Sequence, residues 1–361
     1  MKIKYILSAC VLYTATAMIN LNAKTLFDAA DLHSDVLLNI LEDPGYLDKD
    51  KPGQHTSFRT IKQGNYRLIV VIVSGDFFFD RNMEKPGWIS RRLWKELGKY
   101  RLKKREFAGH CIDLVKKTFK DKKDFVLVTG RKDLDTVEKE KKTGILLGVE
   151  GMRVAENPGD VEWLYENGVR VFGLVWNSDN KFAHSHKSKS GLTEEGKELV
   201  RAIAKAGGII DLSHASERTV LDAIETAGRD CPFMASHSGV RQISDVSRNP
   251  SDEAIKAIAG TGGIIGATFY RTLIKNRNNK SPVYATTDDV LDTIDCMAKM
   301  IPISNVAIGT DYGSIIPPKG LENAGCIQKI GAGMLKRGYT QEEANKVMGA
   351  NALKFLRKAL K

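Results

Sequence analysis

TEEGKELVRAIAKAGGIIDLSH, residues 193–214, is the stretch of the chain that decides its fold. Thr193 is a typical helix N-cap, apolar residues then recur at helical spacing, and Gly207 ends the helix. An isoleucine-rich apolar run follows at once and stops at His214. A helix that leads directly into a strand buried on both faces predicts a parallel α/β fold.

Apolar runs of the same kind alternate with charged amphipathic stretches along the rest of the chain. Eight such runs occupy residues 25–35, 67–75, 144–151, 169–177, 207–214, 232–237, 262–270 and 305–312. Strand and helix repeated eight times predict an α/β fold, the (β/α)8 TIM barrel, and a chain of 361 residues suits one such domain. A ninth run, residues 124–130, predicts a short extra strand or loop element.

The first 23 residues differ from the rest of the chain. MKIK is basic, residues 5–21 are apolar and small, and Ala23 offers a cleavage position. We expect a signal peptide over residues 1–23, export to the periplasm or the medium, and one barrel domain over residues 24–361. Lipoprotein anchoring at Cys10 is less favoured, and an uncleaved anchor is the remaining alternative. Membrane association is expected only through this segment.

The net charge and the cysteine content exclude few classes of protein and point to no further binding or catalytic site. The formal net charge is +11, with basic clusters in residues 91–107 and 116–124. Acidic residues interrupt both clusters at helical spacing, so we interpret them as solvated helix faces and expect no nucleic-acid partner. The four cysteines beyond residue 23 follow no zinc-binding spacing, and their pairing stays open.

The predicted strands end in polar and ionisable residues. Active groups of (β/α)8 barrels gather at the C-terminal ends of the strands. In chain order the strand-end residues are His33, Asp35, Glu150, Trp176, His214, His237, Tyr270 and Asp311. Taken singly, each has a simpler explanation as a core histidine, a cap, a turn or packing. Buried acids and imidazoles cost free energy unless they are paired or liganded, so their joint placement predicts a metal centre.

The ligand types indicate the metals and the chemistry. Imidazoles and carboxylates without thiolates suit two divalent ions, zinc first, with manganese or cobalt as alternatives. Glu150 lies between the other ligands in barrel order, so we expect it to be the shared carboxylate. Two such ions activate water and polarise a carbonyl. Asp311 is then expected to pass the proton to the leaving amine.

Five segments carry a family resemblance. They are LHSD (32–35), GILLGVEG (144–151), residues 191–216, residues 235–270 and NVAIGTDYGS (305–314). Together they resemble the membrane dipeptidase (renal dipeptidase, peptidase M19) family, from about residue 27 to 357, most closely over residues 190–270.

The resemblance implies a barrel of the metal-dependent hydrolase type and a role for each site residue. It implies one zinc ion on His33 and Asp35, a second on His214 and His237, and Glu150 as the bridge between them. It also implies a homodimer, and a substrate carboxylate bound by Arg248 with Tyr270 near the same group; the planar guanidinium of arginine suits a terminal carboxylate.

The chain departs from the family pattern at two positions. Trp176 stands where family members carry a histidine after the fourth strand, and neither His184 nor His186 aligns with that position. Gly313 replaces the second acid of the usual DFDG segment. We place Trp176 among the substrate-binding residues, and the preferred dipeptides stay open.

These observations predict an exported binuclear zinc dipeptidase that hydrolyses the amide bond of dipeptides and tolerates D-residues at the C-terminal position. Two alternatives remain. One is a related barrel enzyme of secondary-metabolite biosynthesis, for which Trp176 would mark the change. The other is a non-catalytic, metal-stabilised envelope binding protein, which is less favoured because binding alone needs no proton carrier such as Asp311.

Overall fold

Nine parallel strands form one sheet in the computed structural model, which describes residues 26–79, 90–100, 103–275 and 284–361. The strands are β1 (Ala29–Ser34), β2 (Tyr66–Val73), β3 (Phe125–Val128), β4 (Thr143–Glu150), β5 (Val169–Gly173), β6 (Ile209–Asp211), β7 (Phe233–Ser238), β8 (Ile264–Ala267) and β9 (Val306–Ile308). The order around the sheet is β1-β2-β4-β5-β6-β7-β8-β9. The predicted signal peptide lies outside the described residues.

Helices separate most of the strands, as the alternating pattern predicts. They are α1 (Val36–Glu42), α2 (Phe58–Gln63), α3 (Gly75–Phe79), α4 (Arg91–Gly98), α5 (Lys104–Phe119), α6 (Arg131–Glu140), α7 (Asp160–Glu166), α8 (Glu194–Ala206), α9 (Glu217–Ala227), α10 (Asp252–Gly260), α11 (Arg271–Ile274), α12 (Thr287–Met300), α13 (Gln328–Lys336), α14 (Gln341–Asn345) and α15 (Asn351–Ala359). Among the described residues, none of these helices combines the length and apolarity that a membrane span requires.

The helix that opens the deciding stretch has the predicted caps. Thr193 Oγ1 accepts a hydrogen bond from Gly196 N–H, 3.0 Å away, at the start of α8. Gly207 ends α8 with a φ of 86°, in the left-handed region that favours glycine. The chain then enters β6 within two residues. Helix and strand boundaries in this unit therefore follow directly from local sequence.

Backbone hydrogen bonds bring the last strand back to the first. Asp311 N–H donates to His33 O over 2.9 Å, and Asp35 N–H donates to Tyr312 O over 2.8 Å. Ser34 and Tyr312 form a parallel bridge. The eight strands of the ring thus form a nearly closed barrel, and the predicted (β/α)8 fold is confirmed.

The ninth strand lies outside the ring. β3 pairs with the first half of β4, from Thr143 to Leu146, whereas β5 pairs with the second half, from Leu147 to Glu150. β3 therefore occupies the side of β4 that β5 takes over further along. The ninth apolar run is therefore an extra strand, which is one of the two outcomes that the sequence predicted for it.

Apolar side chains of the ring strands pack on both faces of the sheet. Along β2, Leu68, Val70 and Ile72 belong to an interior cluster, to which every ring strand contributes. The alternate residues belong to the larger cluster that includes the surrounding helices. The C-terminal helix α15 joins the interior cluster, and Lys361 Nζ donates to Ala206 O just before β6. This helix therefore closes the N-terminal end of the barrel, and the opposite end holds the strand-end residues.

A buried carboxylate fixes the junction between β1 and the segment after β9. Asp31 Oδ1 accepts from Thr310 N–H over 2.7 Å and from His33 N–H over 3.1 Å. Thr310 Oγ1 donates to Asp31 Oδ2 over 2.6 Å and accepts from Tyr312 N–H over 3.1 Å. One threonine hydroxyl thus serves both sides of the closure.

Thr310→Val is expected to weaken this closure. The substitution keeps the shape but leaves a carboxylate oxygen and a backbone N–H without a partner, which costs about 1–3 kcal/mol. The measurement is the free energy of unfolding from urea denaturation. Thr293→Val is the matched control, because Thr293 is equally buried but its hydroxyl only adds a bond to Asp289 O within α12. Equal losses in both variants would contradict the role of Thr310.

Candidate metal centre

The strand-end residues lie together at one end of the barrel, around Glu150. Glu150 ends β4 and is buried. Its Oε1 lies 3.5 Å from His33 Nε2, 3.1 Å from His214 Nε2 and 3.6 Å from His237 Nε2. Three imidazoles from three strand ends therefore converge on one carboxylate oxygen. This is the central position that the sequence predicted for a shared ligand.

The first ligand group joins His33 to two carboxylates. Ligand atoms of His33, Asp35 and Asp311 all lie within 4.8 Å of one another, and all three residues are buried. His33 Nε2 is 3.9 Å from Asp35 Oδ1. The sequence pointed to proton transfer for Asp311, and the structure also places its carboxylate at ligand distance in this group.

Ligand atoms of His33, Glu150 and His237 also lie within 4.8 Å of one another. His214 Nε2 lies 3.1 Å from Glu150 Oε1 and faces His237, so we take His214, His237 and Glu150 as the second ligand group. The Nε2 atoms of the two histidines are 3.1 Å apart. His214 Nδ1 lies 2.9 Å from the acceptor Asn177 Oδ1, so His214 donates from Nδ1 and carries a lone pair on Nε2. Arg248 Nη2 donates to His237 Nε2 over 2.7 Å, so this nitrogen also carries a lone pair. Two lone pairs and a carboxylate oxygen that face one another fit around a cation.

The electrostatics of the cluster fit the same conclusion. Burial, and then the charge of Asp35, raise the pKa of Glu150 well above its ordinary value. Burial lowers the pKa of His214 and of His237, so both imidazoles are neutral. His33 Nε2 is buried and has no hydrogen-bond partner among the described residues. Neutral imidazoles beside crowded carboxylates are ligands that zinc, manganese and cobalt accept.

Two residues of the site have unusual backbone conformations. His214 has a φ of 67° and Asp311 a φ of 65°. Both values lie in the left-handed region, which residues other than glycine rarely adopt. His186 N–H donates to His214 O over 2.7 Å, and Asp311 N–H donates to His33 O. Such strain of about 1–3 kcal/mol persists at functional sites because the surrounding structure enforces it.

The backbone at Gly313 leaves no room for a side chain. Its φ is 117°, and a Cβ atom built on it would lie 2.5 Å from the carbonyl carbon of Asp35. A larger residue here would therefore require a shift of the backbone beside Asp35.

A cavity of about 330 Å³ opens beside the ligand groups. Its lining combines ligand residues, one guanidinium and apolar side chains, and comprises Asp35, Leu38, Ser74, Glu150, Trp176, Asn177, His214, His237, Arg248, Tyr270, Leu273, Asp311, Ser314 and Ile315. The three residues predicted to bind substrate, Arg248, Trp176 and Tyr270, are all in this set. The structure therefore brings these three residues together beside the ligand groups, and their role in substrate binding stays a prediction.

Arg248 is half-buried and has an unused donor. Its Nη2 donates to His237 Nε2 and, over 3.3 Å, to His237 O. Its Nη1 is buried and has no hydrogen-bond partner among the described residues. A cation on His237 Nε2 would compete for the lone pair that Nη2 uses. The guanidinium therefore has donors to offer to a ligand in the cavity.

Two histidines near Trp176 do not line the cavity. His184 Nδ1 lies 2.6 Å from Gly191 O, and His186 Nδ1 lies 3.0 Å from Ser247 Oγ. Trp176 itself lies beside the second ligand group, with its ring centroid 6.2 Å from that of His214. Of these three residues, the tryptophan alone lines the cavity.

Sequence reasoning missed Asp76, which holds the loops at the cavity. This fully buried carboxylate accepts from Arg153 N–H over 2.7 Å, from Trp176 N–H over 3.2 Å and from Asn180 Nδ2 over 3.1 Å. It connects the start of α3 with the segments that follow β4 and β5. Its partners lie 77 to 104 residues away in sequence, so no local pattern signals the role.

Sequence reasoning also missed the residues behind the imidazoles. Ser236 Oγ lies 3.0 Å from His33 Nδ1 and 2.9 Å from His237 Nδ1, and Asp211 Oδ2 lies 2.5 Å from the same hydroxyl. Asp211 and Ser236 are polar residues within otherwise apolar strands, shortly before His214 and His237. That position is the signal by which they could have been found.

Comparison with known proteins agrees with this site. The profile of the family described as membrane dipeptidase (peptidase family M19) matches residues 23–361. Dipeptidase tcpJ of Claviceps purpurea (strain 20.1) is 29% identical over 231 residues, which cover 62% of this chain and 53% of tcpJ. Dipeptidase verJ of Clonostachys rogersoniana is 30% identical over 217 residues, which cover 58% of this chain and 54% of verJ. The chain spans about half the length of these relatives.

Solved structures share the fold. A metallo peptidase from Rhodobacter sphaeroides, liganded with a phosphinate mimic of the dipeptide L-Ala-D-Ala, superposes with a TM-score of 0.77 at 19% identity, covering 92% of this chain and 99% of its own. The probable dipeptidase PvdM from Pseudomonas aeruginosa gives 0.78 at 19% identity, covering 92% and 95%. Because the family profile extends over nearly the whole sequence, this chain belongs to the membrane dipeptidase family, peptidase family M19.

Proposed function

We propose that this protein is an exported binuclear zinc dipeptidase that hydrolyses dipeptides with a free C-terminal carboxylate. The observation that carries the proposal is the convergence of His33, His214 and His237 on Glu150 Oε1, within 3.6 Å, beside a cavity that also holds Arg248. Family membership supports the dipeptide substrate and a metal cofactor. Export is supported by the composition of residues 1–23.

The ligand groups divide naturally between two ions. His33 and Asp35 would hold one zinc ion, His214 and His237 the other, and Glu150 would contribute to both. When bound, the ions would supply Lewis acidity at the scissile carbonyl and would activate water for attack.

Arg248 would bind and orient the substrate. Its planar guanidinium matches a carboxylate with two parallel hydrogen bonds, and its charge is permanent. The side chain is anchored at His237, so the carboxylate it binds lies within reach of the second ligand group. The substrate is thereby oriented with its peptide bond toward Glu150.

Asp311 would move the proton. Burial raises its pKa above the ordinary value, although the charge of Arg248 opposes the shift. Ser314 Oγ, 3.2 Å from Asp311 Oδ1, holds the carboxyl in place. A carboxyl with a raised pKa accepts a proton from the attacking water and delivers it to the leaving amine more readily than an ordinary aspartate at neutral pH.

The apolar part of the cavity lining supports a substrate whose own side chains are small or apolar. Leu38, Trp176, Leu273 and Ile315 line the cavity opposite the ionisable groups. Tolerance of a D-residue at the C-terminal position is part of the proposal and is supported by the family resemblance. The Rhodobacter sphaeroides structure holds a mimic of L-Ala-D-Ala. Dimerisation, and attachment to a membrane through the N-terminal segment, belong to the same proposal.

A second candidate keeps the metal centre and changes the substrate. The observation that favours it is Trp176, which replaces the family histidine beside His214. A bulky apolar ring at this place would suit a biosynthetic peptide conjugate better than a free dipeptide. The substrate panel below distinguishes the two functions.

Hydrolysis of a small panel by zinc-loaded protein tests the proposed function. L-Ala-D-Ala and L-Ala-L-Ala are expected to be cleaved, because their side chains fit the apolar wall. L-Ala-D-Glu is expected to be cleaved at least about tenfold more slowly, since desolvating a second carboxylate without a partner costs more than 1.4 kcal/mol. Arg248 is the cation among the described lining residues, and the main-chain carboxylate uses it. Release of free alanine is the measurement, and no turnover of any of the three would refute a dipeptidase.

Glu150→Gln is expected to remove both metal and activity. The amide keeps the size but loses the charge that both ions require, so zinc content should fall below two equivalents and kcat by about three orders of magnitude. Elemental analysis and alanine release are the measurements. Glu156→Gln is the control, because Glu156 is exposed and, within the described part of the chain, its carboxylate pairs only with Lys104, at 3.3 Å. Full zinc content and turnover in Glu150→Gln would discard the bridging role.

Arg248→Ala is expected to raise KM for dipeptides roughly 100-fold, because a paired charge-assisted hydrogen bond contributes about 3 kcal/mol. KM for the corresponding C-terminal amides, which lack the carboxylate, should change little. Steady-state kinetics on L-Ala-D-Ala and its amide provide the comparison. Arg241→Ala is the matched control from the same loop, since Arg241 does not line the cavity and donates to Asn249 O. An equal loss on both substrates would argue against carboxylate binding by Arg248.

A further inference from the structure

We propose that Ser236, held by Asp211, is a positioning residue that orients one histidine of each ligand group and thereby couples the two halves of the metal centre. The inference rests on the two-ion site of the proposed function. It concerns a single hydroxyl group at the end of β7, behind the imidazoles and away from the cavity.

The geometry brings two ligand residues to one atom. Ser236 Oγ lies 3.0 Å from His33 Nδ1 and 2.9 Å from His237 Nδ1. The two rings are close, with centroids 3.7 Å apart, and Ser236 is fully buried. His33 belongs to the first ligand group and His237 to the second. One hydroxyl is therefore shared between the two groups.

Asp211 determines which way the hydroxyl hydrogen points. Its Oδ2 accepts from Ser236 Oγ over 2.5 Å. Its Oδ1 accepts from the backbone N–H groups of Ser213, at 3.0 Å, and Ser236, at 2.9 Å. A carboxylate surrounded by three donors is held as an acceptor, so the only hydrogen of the hydroxyl is used on Asp211.

The two lone pairs of the Ser236 hydroxyl oxygen then determine the tautomers of both histidines. A serine oxygen has two lone pairs, and with its hydrogen on Asp211 it can only accept from the imidazoles. Its fourth neighbour, Ser213 Oγ, lies further away, at 3.2 Å, so the two closer imidazole nitrogens take the lone pairs. His33 and His237 must therefore both carry their proton on Nδ1. This leaves a lone pair on each Nε2, and these are the two atoms that face Glu150. Outer hydrogen bonds of this kind orient metal-binding histidines.

An independent contact supports this tautomer of His237. Arg248 has only donors, and its Nη2 lies 2.7 Å from His237 Nε2. That nitrogen therefore accepts, and the proton of the ring is on Nδ1, next to Ser236. His214, the third imidazole, uses Asn177 in place of the shared serine.

The direct test is the tautomer of each histidine in the metal-free protein. Long-range ¹⁵N–¹H NMR spectra separate Nδ1–H from Nε2–H rings, and the chain has 7 histidines to assign. We expect both His33 and His237 to be in the Nδ1–H form. An Nε2–H form at either residue in the wild-type protein overturns the proposal, and this measurement requires no variant to fold.

Asp211→Asn tests the direction of the network without a change of shape. The amide nitrogen would donate to Ser236 Oγ, so that the hydroxyl hydrogen would turn toward an imidazole Nδ1. That ring would then carry its proton on Nε2 and lose its place as a ligand. We expect at least one of His33 and His237 to change tautomer, and zinc affinity from chelator competition to fall roughly 10–100-fold.

Ser236→Ala removes the shared partner and is expected to weaken zinc binding by a similar factor. Ser238→Ala is the matched control: Ser238 lies two residues further along β7, is equally buried, and its Oγ has no hydrogen-bond partner among the described residues. Its zinc affinity should equal that of the wild type. Unchanged zinc affinity in both Ser236→Ala and Asp211→Asn overturns the proposal.

The outcome is distinguishable from a failure of the proposed function. Neither the NMR spectra nor zinc affinity depends on any peptide. A protein that shows the expected tautomers and affinities but cleaves no dipeptide would retain the positioning role and lose the proposed substrate. A protein that cleaves L-Ala-D-Ala and keeps wild-type zinc affinity in both Ser236→Ala and Asp211→Asn would retain the function and refute the positioning role.

Discussion

The rest of the structure depends on the burial of Glu150 among three imidazoles. An ionised carboxylate out of water is costly unless it is paired or bound to a cation, and here the nearest groups are neutral rings and other carboxylates. These groups come from different parts of the chain, and a nearly closed ring of strands holds them together. In the barrel, the hydrogen bond between Asp311 N–H and His33 O closes the ring of strands and places the residues of the first ligand group next to one another.

Polar groups behind the ligands fix the positions of the strand ends and loops, although the charge of one of them, Asp211, adds to the cost of burying an ionised Glu150. Asp31, Asp211 and Asp76 are buried carboxylates that accept backbone N–H groups at the ends of β1, β7 and β5 respectively. Each of them fixes a strand end or a loop, and none of them lines the cavity. Rigid support of this kind allows His214 and Asp311 to keep strained backbone conformations. The same rigidity keeps the imidazoles aimed at Glu150 before any ligand is bound.

Much of the fold, and the gathering of the strand-end residues at one end of the barrel, could be predicted from the sequence, because both follow local rules. Apolar runs bounded by glycine mark buried strands, as at β6, and strand ends mark the site in a barrel. The hydrogen bonds of Ser236, Asp76 and Thr310 could not be predicted, since they join residues far apart in sequence. The nearness of Asp311 to His33 and Asp35 has the same origin: it arises from barrel closure, which no local pattern encodes.

The loop after β5 contributes two neighbouring residues to the site. The backbone N–H of Trp176 is held by Asp76, and the next residue, Asn177, contacts His214. The loop therefore has two separable tasks: Asn177 orients a ligand residue, whereas the ring of Trp176 shapes the cavity. A substitution at position 176 can alter the substrate that fits without disturbing the metal centre. Change of specificity in this barrel thus requires no change at the strand ends, where every ligand is constrained by a neighbour from another strand.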